Sequence, residues 1–269
     1  MVDAATIVRR IRALSGITRK ELAELADLSP STISRIERGT LDPTWGTLSR
    51  ILEATGYRIS GDTTVSAGDP TAIAAARSVL QPVIEPHRTG VAIDSVARTA
   101  QRTETAQWLV RWMRAGWRSD TWDADDLVRL AVSAGNAAKI ARRTVVRRVV
   151  VAKDGWRMLA HQLGEAGVDY AVSGLVAIRG NRSTADTVNP VIYVEDPARV
   201  VEELDLTETC PGEGVLLIAP AGGELAYAER DGGIRYVART QAVLDAFAGP
   251  GREPDKAEAT LRSLLAVST

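Results

Sequence analysis

Residues 29–39, SPSTISRIERG, combine small hydroxyl side chains and a long cation at helical spacing. Serine and threonine hydroxyls can approach the edges of DNA bases closely, and an arginine guanidinium can donate two hydrogen bonds to guanine O6 and N7. Ile33 and Ile36 form an apolar side three residues apart, as a helix that packs on one side requires. The polar groups left outside or beside that apolar side belong to Ser31, Thr32, Ser34 and Arg35. The stretch therefore predicts a helix that presents hydrogen-bonding groups to a duplex groove.

The neighbouring residues predict the elements that position this helix. Thr18 and Glu21 have the spacing of a capping box, which opens a helix through LAELAD. After the break DLS, Ser29 suits the N-cap and Pro30 suits the first helical position, where its missing N–H costs nothing. Two short helices joined by a tight break form a helix-turn-helix, and we expect an all-α domain over residues 1–59.

The run ITRKELAELADLSPSTISRIERGTLDPTWGTLSRILEATG resembles the Cro/lambda-repressor, or XRE, type of DNA-binding domain, over roughly residues 5–59. The resemblance implies base contacts from Ser31, Thr32 and Arg35. The other members of the implied DNA-binding set, most of them phosphate contacts, are Thr18, Arg19, Ser29, Ser34, Arg38 and Thr40.

The same resemblance implies a buried ion pair, which falls on Arg12 and Glu37. Glu37 is therefore expected to stabilise the domain rather than to contact DNA. The family often has glutamine at the positions of Arg19 and Pro30, so the preferred bases do not follow from the resemblance.

Composition limits the class of protein. The chain has 269 residues, 45% of them hydrophobic, with a mean hydropathy of −0.05, which favours two or three modules and no membrane span. The single Cys210 excludes an internal disulfide and suits a reducing cytoplasm. His87 and His161 lack companions at metal-ligand spacing, so no metal or cofactor is expected. The N-terminus has no secretory signal pattern, and we expect a cytoplasmic protein.

The net charge of −1 conceals an asymmetry along the chain. Residues 98–153 carry 12 Lys or Arg and 5 Asp or Glu, whereas residues 154–269 carry 10 and 18. A ligand within about 10 Å of the surface meets only the local field. The basic middle therefore favours an anionic partner, although solvated surface charge without a partner is the alternative.

Residues 60–97 are predicted to be a linker and a connecting helix, because SGDTTVSAGDP at 60–70 is rich in Gly, Ser, Thr and Asp. Residues 98–153 are predicted to be a basic domain that is helical and resembles a winged helix. A break at Gly135-Asn136, a cationic helix AAKIARR and a strand TVVRRVVV suggest this element. A second patch directed at the DNA backbone would then comprise Lys139, Arg142, Arg143, Arg147 and Arg148. A purely structural winged domain is the alternative.

The tryptophans of this region, such as Trp108 and Trp112, are expected to pack inside.

Residues 154–269 interleave strands and helices, which predicts an acidic α/β or α+β domain. The turn at Ser173-Gly174 is similar to that of a nucleotidyltransferase. The acids of that fold would be Glu195 and Asp196, but adjacent strand residues point to opposite faces. We therefore expect a degenerate nucleotidyltransferase-like fold without catalytic residues.

Residues 155–266 resemble the C-terminal domain of AbiEi-type antitoxins. The segments that carry the resemblance are GVDYAVSGLVAI, VIYVEDP, GVLLIAP and the ending TQAVLDAF…PGR…AEATLRSLL. Those regulators belong to type IV toxin–antitoxin systems, in which the antitoxin opposes a nucleotidyltransferase-like toxin. A Cro-type N-terminus is not usual in that family.

Together these features predict a multi-domain, non-enzymatic repressor that binds a pseudo-palindromic double-stranded operator, as a homodimer. The resemblance implies the autoregulating antitoxin of a bacterial operon with a cognate toxin as partner. One alternative is a phage or mobile-element repressor that a partner protein relieves. A second alternative is a C-terminal domain that is still an active nucleotidyltransferase.

Overall fold

The computed structural model describes residues 3–61, 63–88, 99–118, 123–178 and 190–267, so part of the predicted connecting region (89–97) lies outside the described residues. The chain divides into two compact units. The first comprises Met1–Leu80, Asp94–Arg143 and Phe247–Thr269, and the second comprises Gln81–Ile93 and Thr144–Ala246. The last helix thus belongs to the first unit, although the sequence places it with the acidic domain.

Up to residue 143 the described elements are helices and one hairpin. In chain order they are α1 (Ala4–Ser15), α2 (Arg19–Ala26), α3 (Pro30–Glu37), α4 (Trp45–Thr55), β1 (Tyr57–Ser60), β2 (Thr63–Ser66), α5 (Pro70–Ile84), α6 (Thr99–Arg114) and α7 (Ala124–Ala137). Each of the first four helices begins at a side chain that accepts a hydrogen bond from the backbone N–H three residues later. These N-caps are Asp3, Thr18, Ser29 and Thr44.

From residue 144 strands and helices alternate. The elements are β3 (Arg147–Val150), α8 (Trp156–Glu165), β4 (Tyr170–Ser173), α9 (Leu175–Ile178), β5 (Val191–Val194), α10 (Pro197–Glu203), β6 (Val215–Ile218), β7 (Glu229–Asp231), β8 (Ile234–Tyr236), α11 (Arg239–Ala248) and α12 (Glu253–Val267). No described helix is long and apolar enough to cross a lipid bilayer.

The prediction of a flexible linker at 60–70 is wrong in its first half. β1 and β2 pair antiparallel, with Tyr57 opposite Ser66. The hydroxyl of Ser66 donates a 3.0 Å hydrogen bond to the carbonyl of Ala137 at the end of α7, and the backbone N–H of Asp69 donates to the same carbonyl at 3.0 Å. The polar composition of this segment therefore serves to end a helix that lies about seventy residues further along the chain.

The tryptophans of α6 are buried, as predicted. Trp108 donates from Nε1 to Asp69 Oδ2 at 2.8 Å, and Trp112 donates to Ser133 Oγ of α7 at 3.1 Å. Buried indoles usually need such partners. These contacts join α6 to α7 and to the segment that follows the hairpin.

The predicted winged helix is not formed. α7 continues through Gly135. A side chain at this position would meet Phe247 at 2.6 Å, so the glycine allows the two backbones to approach and does not break the helix. The expected cationic helix is only a 3-10 turn, Ile140–Arg142. β3, the expected wing strand, pairs antiparallel with β6 of the C-terminal sheet instead.

The second unit is built on a six-stranded mixed sheet with the order β3-β6-β5-β4-β8-β7. β5 runs parallel to β6 and β4 runs parallel to β8, while the other pairs are antiparallel. The expectation of a mixed α and β fold is confirmed, and the nucleotidyltransferase-like resemblance stays a prediction.

Candidate DNA-binding surface

Helices α2 and α3 pack against each other through small and branched apolar side chains. Leu22 and Ala23 of α2 and Ile33 and Ile36 of α3 are fully buried. The chain turns between the helices at Asp27, whose left-handed φ of 55° is tolerated because aspartate can bond to its own backbone. The buried side of α3 is thereby fixed, and its polar side faces away from the core.

Three hydroxyl groups cluster at the start of α3. Ser29 Oγ accepts from the backbone N–H of Thr32 at 3.0 Å and lies 2.8 Å from the hydroxyl oxygens of both Ser31 and Thr32. Each hydroxyl has one donor and two acceptor sites. The cluster therefore holds its own geometry and keeps capacity to bond a group outside the protein.

Arg35 is exposed on the outer side of α3, and its guanidinium bonds to no described residue. The following residues fold back onto the helix end. Arg38 Nε donates to the Ser34 carbonyl at 3.2 Å, and Thr40 Oγ1 donates to the Arg35 carbonyl at 3.1 Å. Of the predicted set, Ser29, Ser31, Arg35, Arg38 and Thr40 are exposed, and Thr32 and Ser34 are half-buried.

The two predicted contacts at the start of α2 have internal partners. Thr18 forms the predicted capping box, since its backbone N–H donates to Glu21 Oε2 at 2.7 Å. Arg19 bonds through Nε to Glu37 Oε2, which the sequence did not predict. The Arg19 side chain is still 55% exposed, so it keeps other donors for a phosphate.

Glu37 is the buried anion of this domain. Its side chain is 1% exposed, and Arg12 donates from Nε to its Oε1 at 2.6 Å, as the resemblance implies. Burial alone raises the pKa of Glu37, but the hydrogen bonds and positive charges of Arg12 and Arg19 outweigh it and lower the pKa below the ordinary value. Glu37 therefore fixes the end of α3 to α1 and to α2.

The five cations of the predicted second patch are divided between the two units. Lys139, Arg142 and Arg143 belong to the first unit, and Arg147 and Arg148 belong to the second.

These cations differ in their exposure and in their hydrogen-bond partners. Lys139 Nζ donates to the Phe247 carbonyl at 2.9 Å, and desolvation there lowers its pKa. Arg143 is 2% exposed and donates from Nε to the Ala138 carbonyl at 3.2 Å, whereas Arg142 is exposed. In the second unit Arg147 is exposed and Arg148 lies 3.6 Å from Glu208.

One exposed residue near α3 was missed by the sequence reasoning. Trp45, the first residue of α4, is 70% exposed and follows the segment that leaves α3. Because tryptophan is highly buried on average, this exposed indole is a side chain available for contact with a partner. The position of Trp45 after the N-cap Thr44 was the available signal, because a residue at the start of a helix has few neighbours to cover it.

A family model described as helix-turn-helix matches residues 8–61, about a fifth of the chain. No curated protein and no solved structure matches the chain. The N-terminal part is therefore a helix-turn-helix domain, and the protein is a DNA-binding transcription regulator.

Proposed function

We propose that the protein is a sequence-specific repressor that recognises its operator through α3. The observation that carries this proposal is the outer side of α3, where the hydroxyl cluster of Ser29, Ser31 and Thr32 is exposed or half-exposed. The guanidinium of Arg35 is exposed on the same side and bonds to no residue in the described part of the chain. Bidentate arginine contacts and short hydroxyls match the donor and acceptor pattern of the major groove.

The repressor acts as a homodimer on a pseudo-palindromic operator. One short recognition helix supplies limited affinity, and two half-sites about 34 Å apart bound together raise it without new kinds of contact. Sedimentation of the protein with and without operator DNA measures the number of chains per duplex. A single chain on one half-site would contradict this part of the proposal.

The decisive experiment is selection of bound fragments from the parent genome by the purified full chain. We expect enrichment of one or a few sites with two related half-sites. Binding without preference over random duplex would overturn the proposal, because phosphate contacts alone carry no sequence information.

The finer proposal is that the chain is an autoregulating antitoxin and that the second unit binds a cognate toxin. It is supported by the resemblance of residues 155–266 to AbiEi-type antitoxins and by the excess of acidic residues after residue 153. Expression of each gene next to the selected operator, alone and together with this chain, tests it. A neighbour whose product stops growth only without this chain supports an antitoxin. A neighbour whose product instead releases the operator supports a mobile-element repressor.

We propose further that the second unit acts without catalysis. The hydroxyl of Ser173, in the turn that suggests nucleotide transfer, is buried and donates to Asp245 Oδ2 at 2.6 Å, where it has no access to a phosphate. Asp196 is the N-cap of α10 and accepts from the backbone N–H groups of Ala198 and Arg199 at 3.1 Å. Incubation with labelled nucleoside triphosphates and magnesium is expected to give no transfer. Transfer that disappears in Glu195→Ala and Asp196→Ala would contradict it.

A further inference from the structure

A cavity of about 440 Å³ lies inside the first unit, between the start of α2 and the helices α7 and α12. This volume falls in the range of about 300–1,000 Å³ in which small organic ligands are bound. We propose that it is a binding site for a small amphiphilic organic cation, and that occupancy of this site changes the affinity for operator DNA. The second half of this inference rests on the proposed function.

One wall of the cavity is apolar. It is formed by Leu25 of α2 and by Val128 and Val132, one turn apart on α7. Contact between this wall and the hydrocarbon part of a ligand lowers the free energy, because both apolar surfaces leave water. The wall offers no hydrogen bonds. A purely polar solute of the same size would leave this wall without a matching surface.

Two buried polar atoms in the lining have no hydrogen bond of normal geometry to a described residue. They are Nε1 of Trp117 and Oγ of Ser15. Trp117 is only 2% exposed, and its indole N–H helps to lower the pKa of the Glu21 carboxylate in the same lining. Buried polar groups are nearly always bonded. The Ser15 hydroxyl, whose proton can go to Tyr57, can still accept a hydrogen bond from an ammonium group of a ligand. The indole N–H of Trp117 is a donor only and has the Glu21 carboxylate as its acceptor, so it reports on the site rather than contacting the cation.

The charge of the lining favours a cation. Arg129 forms an ion pair with Glu21 at 2.7 Å, so the charges of these two lining residues cancel. Arg262 is shared by two carboxylates, Asp125 at 2.6 Å and Glu258 at 3.0 Å, so one negative charge remains in excess. Both carboxylates are partly exposed, at 65% and 43%, as a position at the mouth of the cavity requires. An ammonium group would complete this cluster, and a carboxylate or phosphate would be repelled by it.

The cavity also touches the DNA-binding elements. Ile17, Thr18 and Glu21 line it. Ile17 and the N-cap Thr18 come directly before α2, and Glu21 lies in its first turn, close in sequence to Arg19 of the predicted phosphate-binding set. A ligand that contacts these residues together with α7 and α12 biases the position of α2 against its neighbours. Linkage then requires that operator DNA change the ligand affinity by the same factor by which the ligand changes the operator affinity.

The site can be tested with benzylamine as the cationic probe and with phenylacetate and benzyl alcohol as anionic and neutral controls of similar size. The readout is the indole N–H signal of Trp117 in nitrogen-15 correlation spectra of the full chain, assigned with Trp117→Phe. We expect benzylamine to shift this signal in a saturable way and phenylacetate to leave it unchanged. No saturable shift, or an equal shift with phenylacetate, would overturn the site.

Two variants test separately the negative charge of the lining and the apolar space of the cavity. Glu258→Gln is expected to weaken benzylamine binding about fivefold, since it removes one partly exposed charge contact. Val132→Phe is expected to abolish binding by filling the apolar part. Glu24→Gln, which removes a charge of α2 outside the lining, is the matched control and should leave binding unchanged. Unaltered binding in Glu258→Gln would contradict the assignment even if Val132→Phe failed to fold.

The regulatory half is decided separately, by the affinity for a selected operator fragment with and without saturating benzylamine. A changed dissociation constant, matched by a reciprocal change in benzylamine affinity, supports coupling. An unchanged constant overturns coupling and leaves the ligand site in place. If the chain bound no DNA selectively, the proposed function would fail, and the spectra would still decide the site.

Discussion

Gly56, at the end of α4, lies directly against Ala137, at the end of α7. A side chain at Gly56 would overlap the Ala137 Cβ, and the left-handed φ of 72° at Gly56 favours glycine as well. The helix-turn-helix domain is thus joined to the rest of the first unit by a backbone contact that only glycine allows.

Gly56→Ala is therefore expected to lower the free energy of unfolding by about 2 kcal/mol or more, through backbone strain and overlap together. Gly46→Ala is the matched control within the same helix. Gly46 has only Thr44 Oγ1 at 4.0 Å and no positive φ, so alanine there should stabilise the protein by about 0.5–1 kcal/mol. Urea denaturation of both variants measures the difference, and equal stability would show that the contact at Ala137 is not tight.

Local signals predicted the DNA-binding domain because they act within a few residues. The capping box of Thr18 and Glu21, the N-cap of Ser29 and the apolar pair Ile33 and Ile36 all lie where the sequence indicates them. The ion pair of Arg12 with Glu37 came from the resemblance and is present.

The incorrect predictions for the middle of the chain have a common cause, which is contact between residues far apart in the sequence. Gly135 suggested a helix break, but its role is close packing against Phe247. Lys139 and Arg143 suggested a surface for DNA, but backbone carbonyls of the same unit accept their hydrogen bonds. No spacing rule within the middle segment could show that Phe247 would lie there.

Arg35→Ala is expected to weaken operator binding by about 1–3 kcal/mol and to relax the preference at one or two base pairs, because a bidentate contact discriminates between bases. Arg50→Ala, an exposed arginine of α4, is the control for loss of positive charge. Competition of wild-type and substituted operators in gel shifts measures both effects. If selectivity were unchanged in Arg35→Ala, the assignment of Arg35 to base recognition would be wrong.

Arg142→Ala and Arg143→Ala should affect different properties, DNA binding and stability respectively. Arg143 is buried and hydrogen-bonded, so its removal is expected to lower the free energy of unfolding by about 2 kcal/mol. Arg142 is exposed, so its removal should leave stability unchanged and, if it contacts a phosphate, reduce the slope of log K against log salt by about 1. An unaltered slope in Arg142→Ala would exclude this residue from contact with DNA.

The pKa of Glu37 predicts how acid affects the domain. Because the folded-state pKa is lowered, its ionised form contributes stability above the ordinary glutamate pKa of about 4.3, and this contribution is lost as pH falls through the lower, folded-state value. Glu37→Gln should therefore destabilise the protein by about 1–3 kcal/mol at pH 7 and flatten the loss of stability in acid.

The control for Glu37→Gln is Glu24→Gln, since Glu24 lies 3.8 Å from Lys20 in a partly exposed pair of α2. Pairs of that kind contribute less than about 1 kcal/mol. Denaturation at pH 7 and at several values below 4.5 compares the variants. Parallel pH curves for wild type and Glu37→Gln would contradict the role of the ionised carboxylate.

Trp45 should report directly on DNA binding. The other described tryptophans, Trp108, Trp112, Trp117 and Trp156, are buried, whereas Trp45 is 70% exposed at the start of α4. We expect a duplex bound at α3 to reach the start of α4 as well and to cover this indole, whose N–H can donate to a phosphate oxygen. We expect operator DNA to change the tryptophan fluorescence, and we expect Trp45→Phe to remove that change while Trp156→Phe keeps it. A full response in Trp45→Phe would place the start of α4 away from the bound duplex.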